Sequence, residues 1–420
     1  MNGPNPPHTV QYYTHETLLS RPPVQMRPTI VIDAPTDSTG PSILFVCTVA
    51  STLEAFLLPF ADRLHGRGWQ VDALARGAGS NSRIAGSFDH LFDIDWSRNA
   101  LAPGNLFGSI KRVRQVVRAG NYELVHVHTP VAAFVTRLAL RSMGDARPIV
   151  IYTAHGFHYY KGGGRLRNLI FRWLEKTASK WTDFIVTMNQ EDFDAARAFD
   201  GIMADRVRFI PGVGVDTAHY SPSGAAPEGP DELRASLFIP QDAFVLTIVA
   251  ELGAVKRHAH LLSAIALVKD PRVVLLIVGE GSLEPELRNQ AQRLNIAERI
   301  RWAGYRSDIA SVLGASDALA LVSEREGLNR SVLEAMSAGI PVIGTATRGI
   351  ADAVAPDAGW IVDKRDVPAL AAAIDEAAAA PDEASRRGAI GRLRVKERYA
   401  LPLIIAAYEE LYREALALRV

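Results

Sequence analysis

A single cysteine, Cys47, occurs in 420 residues, so neither a disulfide framework nor a cysteine metal centre can form within the chain. That thiol lies in the apolar run SILFVCT, where a small buried hydrophobe is expected rather than a nucleophile. An excess of one charge is missing too: 46 Lys and Arg balance 46 Asp and Glu, and no overall field recruits nucleic acid. No window approaches the roughly 18 consecutive apolar residues of a membrane span, so any membrane contact is expected to be peripheral. No charged start followed by an apolar core reads as an export signal, which points to a cytoplasmic protein. Eight of the 24 prolines fall in residues 1–41, which read as a flexible tail.

What the chain does have is a hydrophobic content of 48%, enough for two ordinary domains with cores of their own. Past Pro41, short β-branched runs alternate with helical patterns, which predicts an α/β fold of parallel sheets covered by helices on both faces. The first strand series is SILFVCT, WQVDALA, LVHVH, IVIYTAH, DFIVTM and VRFIPG. A Pro-, Gly- and Ser-rich stretch from Pro211 through PDELR reads as a linker. A second series follows: FVLTIVA, VVLLIVGEG, IRWAGY, ALALVS, PVIGT and GWIV. The expected division is residues 42–212 and residues 213–394, two similar domains facing a cleft. Residues 395–420 have helical periodicity and are long enough to cross back onto the first domain.

Within the second series, SEREGLNRSVLEAMSAGIPV carries two acids, Glu326 and Glu334. ALALVS reads as a buried strand and EREGL as a loop, with Asn329 as the N-cap of a helix stopped by Gly339 and Pro341. First-turn amides of such a helix suit a diphosphate. Two carboxylates beside that anion site would be repelled by phosphate, so their natural partners are hydroxyls on either side of it. A sugar nucleotide, whose diphosphate is bracketed by a hexose and a ribose, has them. The plainer alternative is a solvated helix start with Glu326 paired to Arg330 four residues on.

Histidines are the other candidates. His155 ends the strand in TAHGFH, on the cleft side, where a structural role competes with a functional one. His126 and His128 share one strand face, but no third ligand stands at a spacing that would make a metal site. GEG at Gly279–Gly281 lacks the third glycine of a dinucleotide fingerprint.

The run from Glu326 to Val342 closely resembles the E-x7-E signature of the retaining glycosyltransferases of family 4, and the resemblance extends over nearly all of residues 42 to 415. LIVGEGSLEPEL is similar to that family's second-domain strand and turn, and AGYRSDIASVLGASDALALVSEREG to its approach to the signature. VHVHTPVAAFVTRLALR and the segment from Ile151 to Asp192 look like a narrower branch, the bacterial enzymes of capsular, exopolysaccharide and other lipid-linked surface glycans. The resemblance implies a GT-B fold, two Rossmann-like domains around one active site, and transfer with retention that needs neither metal nor cofactor. It places Glu326 on the donor hexose, Glu334 on the ribose, and the amides of Gly327, Leu328 and Asn329 near sugar or diphosphate. Lys256 falls on the diphosphate with Arg257 in support, although Glu251 stands where the family usually has an arginine. Gly279, Gly281, Tyr305 and Arg306 join the donor-binding set, and His155 completes a catalytic set with Glu326 and Lys256.

For the acceptor, residues 156–181 hold Lys161, Arg165, Arg167, Arg172, Lys176 and Lys180 against Glu175 alone, a local excess of five positive charges, with aromatics interleaved. His158 lies in the same segment. Such a mixture suits an anionic membrane interface or a lipid diphosphate. The alternative is an amphipathic helix whose Leu169, Ile170, Trp173, Leu174 and Trp181 face a core while its cations are solvated. The expected partners are therefore a nucleotide sugar, taken as a UDP-hexose or UDP-N-acetylhexosamine, a polyprenyl-diphosphate-linked glycan, and the inner face of the cell membrane. A nucleotide-sugar 2-epimerase and an inactive sugar-nucleotide-binding scaffold are the rival functions.

Overall fold

A computed structural model describes residues 40–96, 104–160, 162–222, 224 and 228–419, so that of the proline-rich tail only Gly40 and Pro41 fall within it. Thirteen strands build two wholly parallel sheets. The first comprises β1 (Ser42–Val49), β2 (Gln70–Arg76), β3 (Leu91–Asp93), β4 (Leu124–His128), β5 (Ile149–Ala154), β6 (Phe184–Thr187) and β7 (Val207–Phe209), in the order β3-β2-β1-β4-β5-β6-β7. The second comprises β8 (Phe244–Val249), β9 (Val273–Val278), β10 (Ile300–Gly304), β11 (Ala318–Leu321), β12 (Val342–Thr345) and β13 (Gly359–Val362), in the order β10-β9-β8-β11-β12-β13. In each sheet the order of strand addition reverses beside the first strand, at β1/β4 and at β8/β11, which opens a crevice at the carboxyl ends of those strands.

Strand composition follows from burial on both faces. Along β1, Ile43, Phe45 and Cys47 enter one core layer while Leu44 and Val46 enter the layer on the opposite face. Burial pushes the Cys47 thiol far above its ordinary range, in keeping with a small core hydrophobe. β3 was not anticipated: three residues, half-exposed at a sheet edge, carry too little apolar pattern to register.

Two segments depart from the sequence reading. The expected linker contains a helix, Pro230–Ser236, with proline in its first turn and the Glu232 carboxylate accepting the Gly229 N–H at 3.3 Å. The C-terminal segment is not one helix but two, Pro381–Arg398 and Leu401–Leu416. Pro402 sits in the first turn of the second helix, where its missing N–H costs nothing. The break is held by Val215, which donates to the Tyr399 carbonyl and accepts from the Leu401 N–H, both at 2.9 Å. Ile404, Tyr408, Leu411 and Tyr412 then fill the same core layer as Ile43 and Phe45.

Candidate active site

β11 is wholly buried and delivers residues 322–329 to the crevice of the second sheet. Asn329 caps the Arg330–Ser337 helix, its Oδ1 accepting the Ser331 N–H at 2.9 Å, and the helix closes at Ala338 before Gly339, which has φ +80°. A cavity of about 920 Å³ opens in front of this loop, lined by Lys256, Glu326, Gly327, Leu328, Asn329 and Glu334 from the second sheet's side. Glu54, Phe56, Arg83, Thr129 and His155 line it from the first. Gly279, Tyr305, Arg306 and Glu251 are also on its wall.

The plainer pairing expected for Glu326 does not occur. Glu326 Oε1 accepts from Lys256 Nζ at 2.7 Å, and Arg330 instead turns to Glu334, Nε to Oε1 2.6 Å, along the same helix. Arg330 and Glu334 both reach Tyr220, which lies in the stretch read as linker and has its phenol pushed up first by burial and then by the Glu334 charge. Arg306 is already engaged by Asp308 and, at 3.1 Å, by Glu228.

Glycines carry the closest approaches. A Cβ on Gly327 would lie 1.8 Å from the His155 carbonyl oxygen, and one on Gly349 would lie 1.5 Å from the Gly327 carbonyl oxygen. The loop around Gly327 is thus clamped, backbone against backbone, between the end of β5 and the start of the Arg348–Val354 helix. Arg348 extends the clamp: it pairs with buried Asp192 and donates to the Phe157 carbonyl at 2.8 Å.

His155 stacks on Phe56 at 5.6 Å, and its Nε2 lies 3.1 Å from His128 Nδ1. Burial lowers the His155 pKa to about 4, so at neutral pH it is an uncharged imidazole that exchanges hydrogen bonds rather than a proton reservoir. His126 and His128 do share a face, with ring centroids 4.1 Å apart. His126 is held by Tyr412 at 2.7 Å and Thr153 at 2.8 Å.

Two of the expected donor residues lie elsewhere. Arg257 adopts φ +55° and turns away to Glu324 at 2.8 Å and His260 at 2.7 Å, lining a different, small cavity. Gly281 is off the wall, because a Cβ there would lie 2.5 Å from the Leu252 carbonyl oxygen, which makes it a packing glycine. Arg83, Glu54, Tyr220 and His128 were not singled out for the site, and only the alternation of LVHVH pointed toward His128. Arg83 and Glu54 pair at 3.0 Å across a loop whose sequence carries no motif.

Of the residues expected to serve an acceptor, His158, Arg165, Arg167 and Arg172 are not on the cavity wall. Lys161 is outside the described residues; His158 lies against Phe171 with ring centroids 5.1 Å apart and the rings tilted; Arg165, Arg167 and Arg172 belong to the Arg165–Ser179 helix. The alternative that this helix turns Leu169, Ile170, Trp173, Leu174 and Trp181 to a core holds only in part: Leu169 and Trp173 are 67% and 63% exposed and Ile170 39%, and their neighbour Leu166 is 72% exposed, whereas Leu174 and Trp181 are half-buried. The reason is its anchor. Buried Glu175 takes Arg137 at 2.9 Å and the Tyr152 hydroxyl at 3.1 Å, and Ala178 and Ser179 pack beside it, so the helix is held by its C-terminal turn. Among the described residues no helix is long and apolar enough to cross a membrane.

Two parallel-sheet α/β halves that present their strand ends to one cleft, with acids and a lysine around a capped helix start, define a GT-B glycosyltransferase. Residues 53–219 match the family described as Glycosyltransferase Family 4, and residues 230–394 match Glycosyl transferases group 1. The chain is 32% identical over 353 residues to EpsD of Bacillus subtilis (strain 168), a glycosyltransferase by name, covering 83% of this chain and 91% of that protein. The UDP-Gal:alpha-D-GlcNAc-diphosphoundecaprenol alpha-1,3-galactosyltransferase of Escherichia coli is 29% identical over 246 residues, 57% of this chain and 62% of the relative. Among solved structures, Anabaena Alr3699/HepE in complex with UDP and glucose aligns with a TM-score of 0.75 at 20% identity, covering 89% of this chain and 100% of that one. The chain belongs to the family 4 glycosyltransferases.

Proposed function

We propose that the enzyme transfers a hexose or N-acetylhexosamine from a UDP-sugar, with retention at the anomeric carbon, to a polyprenyl-diphosphate-linked glycan of a bacterial surface polysaccharide. The observation that carries this reading is the trio Lys256, Glu326 and Glu334 around the amides of Gly327 to Asn329 in one cleft. A donor diphosphate entering there meets Lys256 and the loop amides, while the two carboxylates accept from hydroxyls on either side. Lys256 and the amides offset charge on the departing diphosphate, the part a divalent cation plays elsewhere. His155 offers a neutral imidazole to the transferred sugar. No protein nucleophile is assigned; the acceptor hydroxyl attacks from the face the diphosphate leaves.

The printed name of the Escherichia coli relative supports a UDP donor and a diphospholipid acceptor, and the kinship with EpsD supports the surface-polysaccharide context. The exposed apolar and basic side chains of the Arg165–Ser179 helix support peripheral docking at the inner membrane face. The test is a panel of nucleotide sugars incubated with and without a lipid-linked acceptor, with the anomer of any product read by NMR. Sugar transferred with the donor's own configuration supports the reading. Isomerised donor without transfer would favour the epimerase, binding without turnover the scaffold, and an inverted product would overturn retention.

A further inference from the structure

A second cavity, of about 360 Å³, opens beside the donor site and shares no wall residue with it. Tyr160 lines it from the first half of the chain, and Arg325, Thr347, Arg348 and Lys364 line it from the second. Two carboxylates, Glu191 and Asp352, are also on its wall, and Asp352 is engaged by the Gln190 N–H at 3.1 Å. Arg348 is neutralised by Asp192. Arg325 and Lys364 form no ion pair with any described carboxylate; Lys364 rests over the Tyr160 ring at 5.5 Å. Arg325 is half-buried, and its pKa is lowered first by burial and then by the neighbouring Arg167 charge, with Arg348 adding to this and Tyr160 and Glu326 opposing it. Three buried polar atoms in the same neighbourhood lack partners: Thr347 Oγ1, Arg348 Nε and His158 Nδ1.

A guanidinium crowded by like charges and several buried polar atoms left unpaired are unfavourable unless a ligand completes them. The missing group is an anion with several acceptor oxygens, since Arg forks and hydroxyls together recognise phosphate. The surroundings say which anion. Arg325 immediately precedes Glu326 of the donor site, and Arg167, whose charge reaches Arg325, belongs to the helix that exposes Leu166, Leu169 and Trp173. The exposed apolar side chains, the cavity holding Arg325 and Lys364, and the Glu326 loop thus adjoin one another, as do the tail, diphosphate and sugar of an isoprenoid-linked acceptor.

We infer that this cavity holds the diphosphate of the lipid-linked acceptor, with Arg325 and Lys364 as its ligands. The inference rests on the acceptor reading given above and adds the residues that recognise its charged link.

The test is equilibrium dialysis of the full chain with radiolabelled farnesyl diphosphate at saturating UDP, which keeps the probe out of the donor site. Parent protein is expected to bind it, and Arg325→Gln with Lys364→Gln to weaken binding by about tenfold or more, the loss for one to two charge-assisted hydrogen bonds. Arg325→Lys should fall between, since it keeps the charge and loses the fork. UDP affinity measured by calorimetry on the same samples reports folding, and the Arg325→Lys series stands in if the double variant does not fold. Equal binding by parent and variants overturns the site, and so does inorganic diphosphate competing as well as unlabelled farnesyl diphosphate. Two outcomes separate this inference from the proposed function. Arg325-dependent binding without sugar transfer to any lipid-linked glycan supports the site and sinks the acceptor reading. Transfer with an unchanged acceptor KM in the double variant supports the reading and sinks the site.

Discussion

Lys256 Nζ and Glu326 Oε1 lie 2.7 Å apart in the cleft, so the cation proposed to meet a diphosphate and the carboxylate proposed to meet a hydroxyl neutralise each other when no donor is bound. Both are partly exposed, so neither charge is stranded in a core when its partner is removed. Donor binding must share or divide this pair.

Glu326→Gln and Lys256→Ala are therefore each expected to lower transfer by more than about tenfold, because each removes a charge that faces the reacting groups. Thermal unfolding should shift by no more than a few degrees. Near-parental rates in both variants would sink the assignment.

Activity is expected to survive excess EDTA if, as proposed, Lys256 and the loop amides supply the positive potential at the leaving group. Rates measured across an EDTA titration decide it. Loss that Mg²⁺ or Mn²⁺ specifically restores would contradict this account.

Membrane docking should depend on both faces of the Arg165–Ser179 helix. The five excess positive charges of residues 156–181, of which the helix itself carries three (Arg165, Arg167, Arg172 and Lys176 against Glu175), would contribute on the order of 1 kcal/mol each near an anionic bilayer, decaying over about 8 Å at physiological salt. Arg165, Arg167 and Arg172 changed to Gln should weaken sedimentation with anionic liposomes, and added salt should reproduce the effect. Leu169→Ser with Trp173→Ser should weaken binding to neutral and anionic liposomes alike without lowering the melting temperature, since both side chains already face water. Liposome binding unaffected by either set would leave the helix without a membrane role.

Acid should destabilise the fold between about pH 6.5 and 4. Burial lowers His126 to about 3 and His155 and His258 to about 4, and holds His128 well below its usual range. In that window the unfolded chain binds protons these native histidines refuse, so stability is full above pH 6.5 and falls as pH drops. Each such histidine adds about 1.4 kcal/mol per pH unit to the slope. Asp72 and Asp192, whose carboxyls burial raises above their usual range, offset part of the loss at the lower end. Urea unfolding at closely spaced pH values measures the slope, and a flat profile would refute the neutral-histidine cluster.

Gly349→Ala is expected to reduce transfer more than its size implies, because the added methyl would fall 1.5 Å from the Gly327 carbonyl oxygen and displace the donor loop. A kinetically silent Gly349→Ala would mean that loop position does not limit the rate.

Much of this was legible beforehand. Twelve of the thirteen strands carry enough β-branched, doubly buried sequence to be read directly, and Asn329 announces its helix by type and place. What the one-dimensional pattern hides is choice among partners. Arg330 stands four residues from both Glu326 and Glu334, and only the loop geometry sends it to Glu334. Arg257 and Lys256 are adjacent, yet a left-handed residue sends one side chain to the cavity and the other away. Apolar periodicity in the Arg165–Ser179 helix left an inward face and an exposed one both open, and a buried ion pair at one end decides how the helix sits.

The return of the Leu401–Leu416 helix to the layer of Ile43 and Phe45 has a consequence for biosynthesis. On the ribosome, the half translated first cannot complete its interior until the final stretch has emerged, whereas the sheet of β8 to β13 is translated entirely in between. The order of synthesis and the order of maturation are therefore inverted: the later-made half can consolidate first, while the earlier one waits with Ile43 and Phe45 uncovered. Nascent chains stalled before residue 401 should accordingly engage chaperones through their N-terminal half.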